Sequence, residues 1–220
     1  AGNGLIHAFE KSSSARALNS IKIYPGWTGK PYDGLKEGRR IQLDNKDLNA
    51  TMEHFSDNII SVGASQWQSN VNLSYGQEYV NLSLEGVYPN FTEVESVKST
   101  EGRFINDIDL KERRKVIVLH TKTAEILFGK SRTEPIGKFV NAGGVSYQVV
   151  GLYTDPGDQG SSEAYIPFST LQVIYNKGDK LNNLTFTTKG LTTKVSIEAF
   201  EAAYRKVIGA KARFDPSDNS

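Results

Sequence analysis

Apolar residues near the start of the chain are spaced as on one face of a helix. Leu5, Ile6 and Phe9 carry this spacing, and the pattern continues after a run of three serines, so we predict a helix over residues 1–20. A short apolar run at residues 21–24 then predicts a strand, which the following Pro-Gly pair ends.

A loop and then a second helix are expected next. Residues 27–40 contain several Gly and Pro residues and show no periodicity, which is typical of a loop. Asp44 can accept hydrogen bonds from the free N–H groups of a first helical turn. Leu48, Met52 and Phe55 follow at positions i, i+4 and i+7, which predicts a helix with one apolar stripe.

Strict alternation of apolar and polar residues marks the next segment. Residues 71–85 alternate on both sides of a Gly-Gln pair, which predicts a hairpin with one buried face. Residues 90–97 fit a short helix. The order strand, helix, strand, strand is typical of the first half of a split βαβ layer.

After residue 98 the pattern becomes that of a small β-rich unit. The elements we predict there are a buried strand at 116–119, a helix at 124–128 ended by Gly129, a hairpin over 139–152, an exposed loop at 155–162 and a strand at 164–166.

The last part of the chain returns to the first pattern. Leu184 and Phe186 alternate with threonines in a strand, and Ser196 is placed to cap a helix that Gly209 would end. The apolar positions of that helix are Phe200, Ala203, Tyr204, Val207 and Ile208. We therefore predict an α+β chain of two subdomains, one of them discontinuous.

Composition restricts the classes of function. The chain has 220 residues, 38% hydrophobic and 23% charged, with a formal net charge of +1. Nucleic-acid binding and polybasic membrane binding both need a basic surplus that this balance lacks. There is no Cys, which excludes disulfides, thiol nucleophiles and Cys-ligated metals. No apolar run long enough to span a bilayer and no signal peptide is visible, which is typical of a processed or excised soluble piece.

Side chains that could carry chemistry are few. The three histidines are His7, His54 and His120, and no two of them have the i, i+4 spacing of a helical metal site. Asp107 and Asp109, with Glu101 nearby, resemble a carboxylate cluster. The basic run that follows at 111–115 favours a self-paired charged turn over a cation site.

Two catalytic or nucleotide-binding motifs are absent from the sequence. No Gly-x-Ser-x-Gly motif occurs, which excludes the nucleophile elbow. Gly129 and Gly137 are too far apart for a phosphate loop, and Phe139 stands where Ser or Thr would be needed. We therefore expect no catalytic, cofactor-binding or metal-binding residue, no cofactor, and no enzymatic activity.

Several motifs together resemble a known family. They are Gly102–Arg103–Phe104, Asp107 to Asp109, residues 116–119, residues 124–129, Pro135–Ile136–Gly137, residues 147–151 and residues 165–168. In this order and spacing they resemble the periplasmic core domain of MacB-type (FtsX-like) ABC transporter permeases. Residues 101–114 are especially similar to versions from Bacteroides-type bacteria.

The resemblance implies a division of the chain. Residues 1–20 would be a stem helix continuing from a transmembrane helix. Residues 21–97 and 169–220 would form a Porter-like βαβ subdomain, and residues 98–168 an inserted, β-rich Sabre-like subdomain.

The resemblance also implies structural roles for individual residues. Gly102 and Gly129 would allow turns with positive φ, and Gly137 would permit a close hairpin. The side chains expected in the core of the inserted subdomain are Phe104, Phe128 and Val149. Arg103 is equally well read as the partner of a nearby carboxylate or as a plain surface residue. The loops 27–40 and 155–162 match nothing in the family pattern, and either could carry specificity.

The implied function is mechanical. The domain would lie in the periplasm as part of an inner-membrane permease and would transmit ATP-driven transmembrane motion to substrate export. Its partners would be a cytoplasmic ABC ATPase, a second permease copy or paralogue, and a periplasmic adaptor or outer-membrane protein, with no nucleic acid. The alternative is a stand-alone periplasmic or surface module that binds a ligand in a cleft between its subdomains.

Overall fold

The computed structural model describes residues 6–11, 19–95, 97–156, 163–191 and 193–217. The helices are α1 (Asn45–His54), α2 (Phe91–Val94), α3 (Asp107–Lys111), α4 (Thr121–Phe128), α5 (Phe168–Ile174) and α6 (Lys194–Ala212). The strands are β1 (Ile6–Lys11), β2 (Asn19–Ile23), β3 (Leu43–Asp44), β4 (Ile59–Tyr75), β5 (Glu78–Val87), β6 (Lys98–Gly102), β7 (Val116–His120), β8 (Phe139–Ala142), β9 (Val145–Thr154), β10 (Glu163–Pro167), β11 (Lys180–Leu181) and β12 (Asn183–Thr188). The fold is α+β, with both parallel and antiparallel strand pairs.

The chain divides into two units. Unit 1 consists of Ala1–Ala64 and Asp179–Ser220, and unit 2 consists of Ser65–Gly178. These divisions differ from the predicted ones at 97/98 and 168/169. In unit 2, β5 pairs with β10 and α5 packs on β5, so these elements lie together in that unit. The Porter-like and Sabre-like boundaries stay predictions.

The helix predicted over residues 1–20 is wrong for Ile6–Lys11, which form β1. This strand pairs antiparallel with β2, from Ile6 opposite Ile23 to Lys11 opposite Asn19. Pairing with a neighbouring strand outweighs a weak local helical periodicity, because it supplies backbone hydrogen bonds that the periodicity does not report. The rest of the predicted stem, residues 1–5 and 12–18, lies outside the described residues.

Unit 1 is a sheet with helices packed on it. In the sheet, β12 lies between β2 and the first part of β4, and β1 adds to the outer side of β2. The side chains of Ile21, Ile23 and Phe186 are almost fully buried in its core. A separate antiparallel pair, β3 with β11, leads into α1.

Helix α1 begins where the sequence predicts, but the residues that it buries differ from the predicted apolar stripe. Asp44 accepts from the backbone N–H groups of Lys46 and Asp47 at 2.8 and 3.2 Å, so the predicted cap is confirmed. The predicted stripe is wrong at Met52, which is 52% exposed. Thr51 is buried instead, because its hydroxyl hydrogen bonds within the core.

Helix α6 is longer at both ends than predicted. Its cap is Thr193, and Ser196 is the third residue of a reciprocal capping box with it. The helix continues past Gly209 to a left-handed residue at Arg213. The helix does not end at Gly209, because the backbone stays helical there. The lack of a side chain at Gly209 matters for the segment after the helix, as described below.

Unit 2 is built around a closed ring of six strands. The order is β4, β5, β10, β7, β9, β8 and back to β4. Strand β10 is parallel to β5, and β7 is parallel to β9. Strand β6 pairs with the remaining half of β9. The inside of the ring holds Phe128 and Val149, as predicted, whereas Phe104 packs against a second cluster around Phe91 and Tyr165.

Two glycines show where the chain requires a small residue. Gly102 has φ of +64°, as predicted, whereas Gly129 has φ of −60° and is helical, so that prediction is wrong. At Gly151 the backbone of β9 lies so close to Arg103 that a Cβ atom would overlap the carbonyl oxygen of Arg103. This contact fixes the approach of β6 to β9.

Candidate functional site: the C-terminal end of helix α6

The described histidine side chains are not part of a metal site. Within the described ranges no group of three or more His, Cys, Asp or Glu side chains is close enough to hold a metal ion. His120 is buried and structural. Its Nδ1 accepts from Lys122 N–H at 3.1 Å and so caps α4, and its Nε2 lies 3.2 Å from Asp155 Oδ1. His54 is exposed in the last turn of α1.

The carboxylates around Asp109 form a self-paired turn. Arg103 donates to both Asp109 carboxylate oxygens, at 2.6 and 3.1 Å, and the backbone N–H of Asn106 donates at 3.0 Å. Asp109 is fully buried, whereas Asp107 and Glu101 are exposed. Arg103 is therefore the partner of a carboxylate and not a plain surface residue.

An aromatic cluster holds α6 in unit 1. Phe200 and Tyr204 lie 5.2 and 5.4 Å from the Phe55 ring and 5.8 and 5.6 Å from the Phe186 ring, between centroids. Each such pair contributes about 0.5–1.5 kcal/mol beyond the area it buries. The cluster thus joins α6 to the end of α1 and to the central strand β12.

One buried hydrogen bond sets the position of α6 against α1. The Thr51 hydroxyl donates to the carbonyl of Asp47 at 2.8 Å, so Tyr204 donates its own hydroxyl hydrogen to Thr51 Oγ1, also at 2.8 Å. Burial raises the pKa of Tyr204 well above its ordinary value, so this donor keeps its proton at any physiological pH.

The segment that follows α6 is held in place by a set of contacts that we call the C-terminal clamp. Lys30 Nζ donates to the carbonyl oxygen of Ser217 at 3.1 Å and to its hydroxyl at 2.8 Å. Arg39 Nη2 donates to the carbonyl of Arg213 at 2.8 Å. Phe214 is 1% exposed, and its N–H donates to the Gly209 carbonyl at 3.0 Å.

Gly209 allows the chain to fold back at this point. A Cβ atom there would lie 2.9 Å from the Phe214 carbonyl oxygen, so any larger residue would push the segment away from α6. The missing side chain therefore serves the close approach of Phe214 and not the end of the helix.

The two cations of the clamp come from the segment predicted as a loop. Residues 27–40 double back on themselves, with Trp27 opposite Arg40 and Tyr32 opposite Leu35. Asp33 and Gly34 at the tip have φ of 44° and 76°, as in the tight turns of hairpins. The segment is thus an ordered arm, and it carries Lys30 and Arg39 to the C-terminal segment.

A groove of about 560 Å³ runs along α6 beside the clamp. Its lining includes Glu198, Lys206 and Pro216, and its floor includes Arg205, which is only 6% exposed. Arg205 donates to Glu201 at 3.1 Å through both Nε and Nη2. The only sequence signal for this buried cation was the i, i+4 pairing of Glu201 with Arg205.

The clamp and the aromatic cluster together define what this region can do. They offer no nucleophile with a base and no set of metal ligands among the residues described. They do fix the segment after α6 to a helix that is itself packed into the sheet. The region is suited to carrying force between the backbone after residue 213 and the core of unit 1.

Similar folds occur among solved structures. The extracellular domain of the noncanonic ABC-type transporter YknZ from Gram-positive bacteria superposes with a TM-score of 0.72 at 23% identity, covering 90% of this chain and 97% of that one. The periplasmic region of MacB from Actinobacillus actinomycetemcomitans superposes with a TM-score of 0.71 at 21% identity, covering 89% and 85%. The chain therefore shares the α+β fold of these two domains.

The family model of the MacB-like periplasmic core domain matches residues 1–207, so the chain belongs to that family. The macrolide export ATP-binding/permease protein MacB 2 of Aeromonas hydrophila is 26% identical over 180 residues. That alignment covers 80% of this chain and 27% of the relative, so the chain spans about a quarter of the relative's length.

The family membership fixes the location and the coarse role of the chain. It is a periplasmic domain of a MacB-like ABC transporter permease. None of the helices described is both long and apolar enough to cross a bilayer. The comparisons do not favour a stand-alone ligand-binding module.

Proposed function

We propose that this domain transmits motion from the membrane part of its permease to the periplasm, and that the C-terminal clamp is where the motion reaches unit 1. In this proposal unit 1 is the Porter-like subdomain and unit 2 the Sabre-like one. ATP-driven closure in the cytoplasm moves the membrane helices, and the domain follows this motion and drives substrate outward.

The observation that supports the proposal is that α6 and the segment after it are both held in unit 1. The aromatic cluster holds the helix, and the C-terminal clamp holds the segment. A segment that only connected domains would need neither a buried Phe214 nor two cations from a distant arm on its carbonyl oxygens. The hydrogen bonds from Lys30 and Arg39 are exposed to solvent, so each contributes roughly 0.5–1.5 kcal/mol. Displacement of the segment is therefore resisted by the helix and the sheet together.

In this proposal the force does not pass through the N-terminal stem helix that the sequence predicts. A helical stem over residues 1–20 does not fit β1, so the rigid path on the N-terminal side runs through the paired strands β1 and β2. On the C-terminal side it runs through α6. The two routes meet in one sheet, since β2 and the aromatic cluster both contact β12.

The partners in this proposal are those of an ABC permease. They are a cytoplasmic ATPase, a second copy or paralogue of the permease, and a periplasmic adaptor or outer-membrane protein. A name such as ATP-binding/permease protein, carried by the Aeromonas hydrophila relative, supports the first of these.

The test uses the full-length permease with its ATPase in proteoliposomes. In the double variant Lys30→Gln/Arg39→Gln, we expect ATP hydrolysis to persist while substrate export falls at least five-fold, because the segment can then move without unit 1. The matched control is Lys36→Gln, an exposed lysine on the same arm.

Export and hydrolysis are measured on the same preparation. Unchanged export in the double variant would contradict the proposal, as would an equal fall in the control. A parallel fall of hydrolysis and export would also count against it, since it would indicate loss of the whole assembly and not loss of coupling.

A further inference from the structure

One face of unit 2 is free of ionised side chains over four neighbouring strands. It consists of the outward residues within 72–74 of β4, 79–81 of β5, 139–141 of β8 and 146–148 of β9. We call it the neutral face. In a chain that is 23% charged, the outward positions here are Asn, Gln, Ser, Tyr and Phe.

Strand register places these residues side by side. Tyr79 lies opposite Ser74, and Ser74 lies opposite Asn141, so the three form a row across β5, β4 and β8. Residues paired across a sheet point to the same side. Apolar neighbours such as Leu73 and Val140 point inward and are buried, so the row points to solvent.

A backbone irregularity adds a fourth asparagine, Asn70, to the face. The register of β4 against β5 shifts between Gln68 and Val71, and Asn70 there has a left-handed φ of 58°. Bulges of this kind re-aim side chains and recur beside functional sites. Here the bulge directs the Asn70 amide to Asn81.

The three amides are locked in one arrangement. Asn81 Nδ2 donates to Asn70 Oδ1 at 2.9 Å and to Asn72 Oδ1 at 2.8 Å, which uses both of its hydrogens. An amide side chain has two donors and one acceptor. The carbonyl oxygen of Asn81 and the amino groups of Asn70 and Asn72 are therefore left for a ligand, as an ordered set of acceptor and donors.

Two exposed aromatic rings lie on the side of the amides that is nearer the turn between β4 and β5. Tyr79 is 70% exposed and Phe139 is 59% exposed. Their strands are separated by β4, and the register offsets them by two residues, so their Cα atoms lie roughly 12 Å apart from ordinary strand spacing. That span suits a short oligosaccharide, with one sugar ring on each aromatic ring.

We propose that the neutral face binds an uncharged glycan. The C–H face of a sugar ring is apolar and stacks on aromatic rings, while its hydroxyls both donate and accept, as the fixed amides do. An anionic lipid or nucleic acid would require cations that the face lacks. A protein interface of ordinary kind would have an apolar core with Arg at its anchors, which is also absent here.

A few charged side chains lie at the edge of the neutral face. Glu78, next to Tyr79 in the chain, is paired with Lys130 at 2.8 Å. Lys138 precedes Phe139 and is exposed at the end of β8. A neutral ligand is tolerated by such a rim, whereas a charged one would have to displace the existing pair or depend on a single lysine.

The test needs only the isolated 220-residue chain and defined sugars. Maltohexaose, cellohexaose and chitohexaose, with a printed array of other uncharged glycans, are the probes. We expect at least one to bind with a dissociation constant of about 1 mM or tighter. In ¹⁵N-labelled protein it should shift the side-chain amide signals of Asn70, Asn72 and Asn81.

Variants then locate the site. Tyr79→Ala and Phe139→Ala should each weaken binding at least five-fold and leave the thermal midpoint unchanged, because both rings are exposed. Ile108→Ala on α3 is the matched control, since it removes an equally exposed apolar side chain (52%) away from the face. Asn81→Asp should also weaken binding, because it removes the donors that lock the amides.

Three outcomes would overturn the inference. These are no binding of any uncharged glycan, binding that survives the Tyr79 and Phe139 variants, or variants that instead abolish cross-linking to a protein partner without sugar binding. The inference does not depend on the proposed function, because the assay contains neither ATPase nor membrane. A negative result for glycan binding does not contradict the proposed function, and a negative result for the proposed function does not contradict glycan binding.

Discussion

Two buried carboxylates of this chain differ in their surroundings, because Asp109 has a salt-bridge partner and Asp47 has none among the described residues. Asp109 is fully buried and forms a salt bridge with Arg103, with Arg114 3.8 Å away. Asp47 is 3% exposed and has no salt-bridge partner within the described residues. Burial raises its pKa from 3.8 to about 6; the hydrogen bond from the Asp44 backbone N–H opposes this rise, and the Asp44 carboxylate adds to it.

Unit 1 should therefore lose stability as pH rises through the pKa of Asp47. The folded state holds a proton between pH 3.8 and about 6 that the unfolded state has released. The stabilisation is complete below the lower value and lost above the upper one. Asp47→Asn keeps the oxygen that accepts from Asp44 N–H and should gain up to roughly 3 kcal/mol at pH 7.5 relative to wild type.

Urea denaturation at pH 4, 6 and 7.5 measures this effect. Glu53→Gln, an exposed carboxylate on the same helix, is the control and should follow the wild-type curve. Equal pH slopes in Asp47→Asn and wild type would show that Asp47 is not the group responsible.

The sequence predicted single residues well where the cause was local. Asp44 caps α1 because a cap needs only its own first turn. Met52 was misassigned to the buried stripe, because which of two neighbouring helical positions faces the core depends on what packs there. Thr51 is buried by its bond to Tyr204, 153 residues away in the chain. No local pattern reports such a partner.

At the scale of elements, the pair Arg103–Asp109 joins the end of β6 to α3. Arg103→Ala would leave a fully buried carboxylate with only a backbone N–H and a more distant arginine. A buried charge without its partner is costly, so we expect a loss of about 2–3 kcal/mol in the free energy of unfolding.

Arg114→Ala is the matched comparison for that variant. Arg114 pairs mainly with exposed Glu112 at 2.8 Å, and such pairs contribute at most about 1 kcal/mol. Denaturation of both variants at pH 7 gives the two losses. A loss for Arg114→Ala that equals the loss for Arg103→Ala would contradict the assignment of Asp109 to Arg103.

Elements were predictable where their partners lie nearby. The hairpins at 71–85 and 139–152 and the buried strand at 116–119 were placed correctly, because alternation and turn residues specify them. Strand β1 was predicted as a helix; residues 27–40 were predicted as a loop and contain no helix or strand, but the sequence did not indicate that they fold back as an arm. Both depend on contacts with other segments, β2 in one case and the C-terminal segment in the other.

At the scale of the whole molecule, unit 2 contains every strand of the closed ring. Residues 65–178 should therefore fold when expressed alone, with a cooperative thermal transition and dispersed amide signals. Residues 98–168, the inserted subdomain predicted from sequence, are the control. They lack β4 and β5, so the ring cannot close, and we expect no cooperative transition.

Circular dichroism and proton–nitrogen spectra of both fragments decide between the two boundaries. Folding of 98–168 together with failure of 65–178 would restore the boundaries predicted from sequence. The candidate site at α6 was beyond sequence reasoning for a related reason. Its parts come from residues 30–39 and 209–217, which only the folded chain brings together.

The discontinuity of unit 1 has a consequence for biosynthesis. Strand β2 needs β12 as its neighbour, and the ribosome makes β12 only after all of unit 2. The inserted unit can thus finish folding first, while the earlier half of its host waits with one side of its sheet unpaired. Domains generally fold as they emerge, so the waiting half is the part of this nascent polypeptide most in need of protection from aggregation.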